Sequence, residues 1–241
     1  MLTRIVLAAS ALLALAATPA GVQGQYRVSG QDLYRVGAIP ATTSISYSGE
    51  ESLSIQPFGK SVRFIAVADC VRTDATGSST EHARFVQELQ PDGSFEDRLD
   101  DDPDFLTVLN QPFAVRLDPA TIRDLRELRG PVPFAAASPV GGGDLRGSLR
   151  PGPSGLLFGR RVVGVRFQAV GLVNGPLPGR ASTSINGRIH LDGTAYYDVE
   201  RALLLSLDAQ LTIDGTLNEG HLPSAPVQIV YRRSIRSAGQ G

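Results

Sequence analysis

The chain is expected to be mainly β, an antiparallel curved sheet or half-barrel with one short helix, at about 119–129, docked on it. Three observations carry this. Residues 203–214 alternate strictly between apolar and polar positions, residues 185–197 do the same, and only Asp198–Arg201 lie between them. Between Thr42 and Arg116, short β-like runs are punctuated by turn residues. A single helical signature follows that series, at Asp118–Gly130.

The N-terminal residues carry an address rather than a fold. Arg4 supplies a positive charge and Ile5–Ala17 is uncharged and apolar. That run is shorter than the roughly 20 residues a bilayer span needs. Thr18-Pro19-Ala20 and Val22-Gln23-Gly24 offer small-residue cleavage sites, the second fitting better. Residues 1–24 are therefore expected to be a secretory signal peptide, with the product exported to a periplasm or fully secreted. Removing 24 of the 241 residues leaves 217, with residues 25–236 expected to form one mainly β domain and 237–241 a disordered tail. No cysteine lies near the cleavage region, which argues against a lipid anchor.

The first strands follow in order. Thr42–Tyr47 stops at Ser48-Gly49, and Ser61–Thr73 stops at Asp74-Ala75-Thr76-Gly77. Ala83–Leu89 stops at Pro91-Asp92-Gly93. Glu81–Glu88 is composed of helix formers, yet short turns on both sides of Phe85 favour strand. Cys70, the only cysteine, shares a strand face with Val62, Phe64, Ala66 and Ala68, so a buried inert thiol is expected and no intrachain disulfide is possible.

The helix has Asp118 as N-cap, Pro119 at the first helical position, and Ile122, Leu125 and Leu128 as an apolar stripe. Arg126 and Arg129 fall in its last turn and Gly130 ends it. Gly130–Gly159 then holds eight glycines and five prolines. Such density reads as a long connection with at most one short strand, around Leu145–Leu149. It separates an N-terminal half (25–129) from a C-terminal meander (160–236).

In that meander, Leu203, Leu205, Leu207, Ala209, Leu211 and Ile213 read as one face, with Ser206, Asp208 and Gln210 on the other. Ile185, Ile189, Leu191, Ala195 and Tyr197 form the matching apolar face of the preceding strand, and Tyr196 points the opposite way. Arg161–Val170 before this hairpin and Val227–Ile235 after it complete four strands.

Composition excludes several functions. After the leader is removed, 22 basic and 24 acidic residues remain, so no field favours nucleic acid or an anionic membrane surface. Lys60 is the only lysine, which together with abundant Ala, Gly and Pro reads as the mark of a GC-rich genome. No nucleophile elbow, Ser-x-x-Lys, His-Glu-x-x-His or phosphate loop occurs. His82, His190 and His221 lie in separate segments, so no catalytic residue is assigned and no cofactor is expected. The acidic run Glu96–Asp104 makes Asp100, Asp102 and Asp104 weak calcium candidates, but it lacks EF-hand spacing and reads first as a solvated turn. With no Trp in the chain, a lectin-like role ranks low.

The unit Gly193-Thr194-Ala195-Tyr196-Tyr197-Asp198 followed by Leu203-Leu204-Leu205-Ser206-Leu207, within Arg161–Ile235, resembles bacterial periplasmic proteins of the lipoprotein-carrier (LolA/LolB-like) type and related uncharacterised secreted β proteins. The resemblance implies a curved sheet enclosing an apolar cavity for lipid chains. Three functions follow, in order. The first is a non-catalytic binding protein holding a lipid or other apolar small molecule, lined by Leu203, Leu205, Leu207, Leu211, Ile213 and Tyr197. The second is an envelope assembly protein with a protein partner. The third is a hydrolase whose site is assembled across strands.

Overall fold

The computed structural model describes residues 22–37, 42–89, 95–100, 119–137, 144–177, 180–220 and 222–238. The expected signal sequence up to residue 21, the expected Pro91-Asp92-Gly93 turn and Asp118 cap, and His221 lie outside them. Among the described residues, twelve strands and one helix are formed. The N-terminal strands are β1 (Val22–Val36), β2 (Thr42–Phe58), β3 (Ser61–Asp74), β4 (Gly77–Leu89) and β5 (Phe95–Asp100). Helix α1 (Pro119–Glu127) comes next, then β6 (Val132–Ala137), β7 (Asp144–Pro151) and β8 (Gly155–Leu157). The long C-terminal strands are β9 (Arg160–Leu177), β10 (Arg180–Asp198), β11 (Leu204–Glu219) and β12 (Ala225–Ser237).

All strands join one antiparallel sheet in the order β5-β4-β3-β2-β1-β12-β11-β10-β9-β7-β6, with β8 also on β9, and the sheet does not close into a barrel. Two meanders, β1–β5 and β9–β12, are thus fused where the first strand pairs with the last. The β1–β12 ladder runs from Tyr26 opposite Ser237 to Val36 opposite Val227. The expected four-strand C-terminal meander is present, and Glu81–Glu88 is strand, within β4.

One face of the sheet is apolar and buried. Leu207, Leu211 and Ile213 of β11 contact the same core as Ile185, Ile189 and Tyr197 of β10 and Val165, Phe167 and Val173 of β9. Helix α1 adds Ile122 and Leu125 to that core, so its apolar stripe docks on the sheet as its spacing predicts. Beyond its C-terminal end, Arg129 donates to the carbonyls of Arg126 (3.0 Å) and Leu128 (3.4 Å), groups the helix leaves without internal donors. Cys70 is buried on the same face as Ala66 and Ala68.

Two expectations are corrected. The Gly/Pro-rich stretch is not one long loop with a single short strand, since it contributes β6, β7 and β8. Glycine is required there for packing. A Cβ on Gly147 would lie 1.8 Å from the Gln168 carbonyl of β9. Pro133 is tolerated because, among the described strands, β6 lies at the sheet edge and pairs with β7 alone. At the two ends of the described sheet, β1 begins at Val22, paired with Ile55, and β12 runs to Ser237. Finally, Leu203 and Leu205 do not share the face of Leu207. A register shift between Tyr196 and Tyr197 sets Leu204 opposite Tyr197 and Leu207 opposite Ala195. Leu204 accordingly joins the core, Leu203 is half-buried, and Leu205 is buried outside the core cluster.

The turn preceding this bulge is built by Asp198. Its Oδ1 accepts the backbone N–H groups of Glu200 (2.8 Å) and Arg201 (2.9 Å), and its Oδ2 accepts from Arg160 at 3.4 Å. A single buried carboxylate therefore satisfies the donors of the tight connection that the two long strands require.

Candidate functional site

The two faces of the sheet differ in chemistry, one buried and largely apolar, the other carrying a polar trough. On the buried face, the residues singled out by the sequence are brought together only in part. Leu207, Leu211, Ile213 and Tyr197 form one wall, each no more than 1% exposed. This wall is apolar apart from the Tyr197 hydroxyl, which is buried and has no hydrogen-bond partner among the described residues. Burial pushes the Tyr197 phenol far above its ordinary pKa, with Tyr26 adding a smaller push in the same direction. Tyr26 differs in being satisfied, since its hydroxyl donates to the Leu204 carbonyl at 3.1 Å.

Across the β12–β1 seam the same face changes character. Arg233 of β12, 4% exposed, donates to Asp32 of β1, 0% exposed. Its guanidinium carbon also lies 5.2 Å from the Tyr47 ring centroid and 5.8 Å from that of Tyr231. Tyr34 packs edge-on against Tyr231 with ring centroids 6.1 Å apart. Gly30 makes this geometry possible, because a Cβ there would meet Arg233 Cδ at 2.7 Å. Glu51 of β2 is likewise buried, opposite Tyr26 in the ladder. Sequence reading missed this cluster, because Asp32 and Arg233 are 201 positions apart.

The polar face carries a trough of about 620 Å³ running across β1, β12, β11 and β10. Its construction follows from register. Gly30, Arg233, Ala209 and Gly193 form one transverse row, and strand alternation directs that row's side chains to the buried face. The trough floor is therefore backbone. The neighbouring rows point outward and make its walls: Ser29, Ser234, Asp208 and Thr194 on one side, Gln31, Arg232, Gln210 and Asp192 on the other. Tyr196 stands at the β10 end. Arg232 Nε donates to Gln210 Oε1 at 2.9 Å, and both oxygens of Asp208 accept from Arg236 at 2.8 Å.

The other candidates separate. His190 is exposed beside Asp192 at 3.5 Å, and His82 is exposed against Asp69, so the two histidines lie on different strands with different partners. Asp100 ends β5, while Asp102 and Asp104 lie outside the described residues. Among the described residues no group of three His, Cys, Asp or Glu side chains is arranged to hold a metal, and no helix is long and apolar enough to cross a membrane.

Comparison with known proteins adds little. No family model and no curated protein matches the chain. A solved structure of a DUF1329 family protein from Desulfovibrio piger is similar at 11% identity, over 91% of this chain and 88% of that one, with a TM-score of 0.18. A superposition of that quality is a distant resemblance and carries no argument about function.

Proposed function

We propose that the chain is an exported, non-catalytic binding protein that takes a lipid or other apolar ligand against the buried face of its sheet. The observation that carries this reading is a continuous apolar wall, from β7 to β11, on a sheet that does not close. Among the described residues one nine-residue helix is all that docks there from outside the sheet. An unclosed sheet can part along this wall to admit an apolar chain without breaking backbone ladders, and the wall's burial would drive that insertion. The Tyr197 hydroxyl supplies the polar contact such a ligand needs, for example to an ester or acid oxygen.

Export rests on the N-terminal residues. Cleavage after Ala20 leaves β1 whole, whereas cleavage after Gly24 removes the three residues that pair with Leu53–Ile55. N-terminal sequencing of the exported protein distinguishes the two.

The binding reading is tested by native mass spectrometry, with organic extraction, of protein purified from its exported location. A stoichiometric apolar adduct is expected. Tyr197→Phe is expected to keep the fold, since it deletes a hydroxyl with no described partner, and to carry less adduct. A bare mass for the wild-type chain overturns the reading.

One observation favours the second function, an assembly protein with a protein partner. The β8–β9 hairpin tip exposes Leu156 (75%) and Phe158 (65%), and Phe158 adopts φ 51°, a conformation unfavourable for a bulky side chain. Retaining an exposed aromatic residue at a strained turn is what a partner-binding tip requires. Crosslinking from position 158 in the native envelope tests it; capture of one stoichiometric protein is the expected result.

A further inference from the structure

The trough on the polar face plays no part in holding an apolar ligand, and its chemistry points elsewhere. Its two walls are rows two residues apart along each strand, about 7 Å, and they cross four strands, about 14 Å. That is a slot, long and narrow. Its floor belongs to interior strands whose backbone groups are already committed to ladders on both sides. An extended peptide therefore finds no edge on which to add a strand, and whatever binds must be read by side chains.

Those side chains are polar and balanced. The carboxylates Asp192 and Asp208 are matched by the guanidiniums Arg232 and Arg236, so the slot selects neither an anion nor a cation. Tyr196 is the one aromatic side chain lining the slot. Its ring sits against Gly164 of β9, where a Cβ would lie 3.0 Å from Cε1, so the ring is backed on one side by the sheet. Several of the polar groups are held in place before any ligand arrives. Arg232 is tied to Gln210, Asp208 is held by both oxygens, and Gln31 Nε2 donates to Ser44 Oγ at 3.3 Å. Each still has capacity left. The Arg232 guanidinium has further N–H groups, and the Gln210 and Asp192 oxygens have further lone pairs.

Fixed, planar groups of balanced charge that offer both donors and acceptors match a ligand made of hydroxyls, since each hydroxyl both donates and accepts. A flat ring that stacks on Tyr196 completes the match. We propose that this trough binds a neutral oligosaccharide, with Asp192, Gln210 and Arg232 hydrogen-bonding its hydroxyls and Tyr196 stacking on one sugar ring. The absence of Trp does not remove this site, because Tyr196 provides the platform at its β10 end.

The test is calorimetric titration of the whole exported protein with neutral hexasaccharides of the malto, cello, xylo and chito series, alongside charged polysaccharide fragments. At least one neutral series should bind, with affinity unchanged in about 1 M salt because no net charge is matched. Gln210→Ala and Asp192→Ala, both on the solvent side, should each weaken binding about tenfold at unchanged Tm, as loss of one or two good hydrogen bonds predicts. Tyr196→Ala should abolish it. No binding of any neutral series at millimolar concentration overturns the proposal. So does salt-sensitive preference for the charged fragments, binding that all three variants leave intact, or selection of peptides that compete at the trough. Apolar adduct, measured in the same preparations, is expected to be unaffected, so this proposal and the apolar-ligand reading fail separately.

Discussion

The buried face of the sheet is one surface built in two ways. Over β9, β10 and β11 it is held by area alone, with Val165, Phe167, Ile189, Leu207, Leu211 and Ile213 all nearly inaccessible. Over β12, β1 and β2 it contains a buried ion pair, Asp32–Arg233, with Tyr47, Tyr231 and Tyr34 around it. Apolar contact is non-directional, so the first half fixes its register only through the burial of alternate residues. The second half adds a specific partner requirement. Slipping β1 against β12 by one residue would turn Asp32 to the opposite face and leave Arg233 buried without it. The seam where the first strand meets the last is thus locked in register by charge, while the wall proposed for the ligand is not.

Breaking the lock should have the largest effect. Arg233→Met leaves the Asp32 carboxylate buried without its guanidinium and is expected to cost about 3–5 kcal/mol in urea unfolding. Adding Asp32→Leu should recover most of that loss, because a well-packed apolar pair replaces the ionic one. Failure of the double variant to recover would show that the seam needs its charges for register rather than for stability.

Truncating the apolar wall comes next. Leu207→Ala removes a fully buried side chain and is expected to cost about 3 kcal/mol. Saturating apolar ligand should return part of this by filling the cavity, read as a ligand-dependent rise in Tm, whereas Arg233→Met should gain nothing from ligand. Equal rescue of both variants would erase the distinction between the halves.

Alkali should strike both halves, at Tyr197 in the apolar wall and at Tyr26 beside the seam. Burial raises the Tyr26 and Tyr197 phenols above the ordinary value of about 10, with Glu51 assisting at Tyr26 and Tyr26 assisting at Tyr197. Their folded pKa exceeds the unfolded one, so the stabilisation is complete below pH about 10. It is lost as pH climbs above that, because the unfolded chain sheds these protons first. Tyrosinate absorbance and circular dichroism should change together in one cooperative transition. Tyr197→Phe should shift that transition to higher pH; no shift would show that Tyr197 already ionises in the folded state.

The smallest effect is expected at the β8–β9 tip, which belongs to neither half. Phe158 and Gly159, at φ 51° and 74°, form a two-residue turn that suits Asn-Gly far better than Phe-Gly. Phe158→Asn should stabilise the chain by about 1 kcal/mol, a rise of a few degrees in Tm. Loss of partner crosslinking in that variant would explain why the phenylalanine is there.

What could be read in advance followed the same division. The β9–β12 meander was legible because its strands bury one face by simple alternation, and helix α1 because its stripe, its Pro119 and its terminal arginines are local signals. Strand β1 was not. Its inward positions read Tyr26, Val28, Gly30, Asp32, and a glycine and an aspartate interrupt the apolar period for the sake of a partner 201 residues away. Strands β6–β8 were hidden by glycines and prolines whose presence is explained by close approach to β9 and by an edge position. The phase of Leu203 and Leu205 was misread because a bulge leaves no mark in hydropathy.

By itself, then, the amino-acid order determined the fold class, helix α1, the long hairpin and the sidedness of its strands, since each depends on residues within a dozen positions of one another. Only the tertiary structure decided that β1 closes against β12, that Asp32 meets Arg233, and that four outward-facing rows line up into a polar trough. Those arrangements are set by strand register, which couples residues far apart in the chain and is chosen by the energy of the assembled sheet.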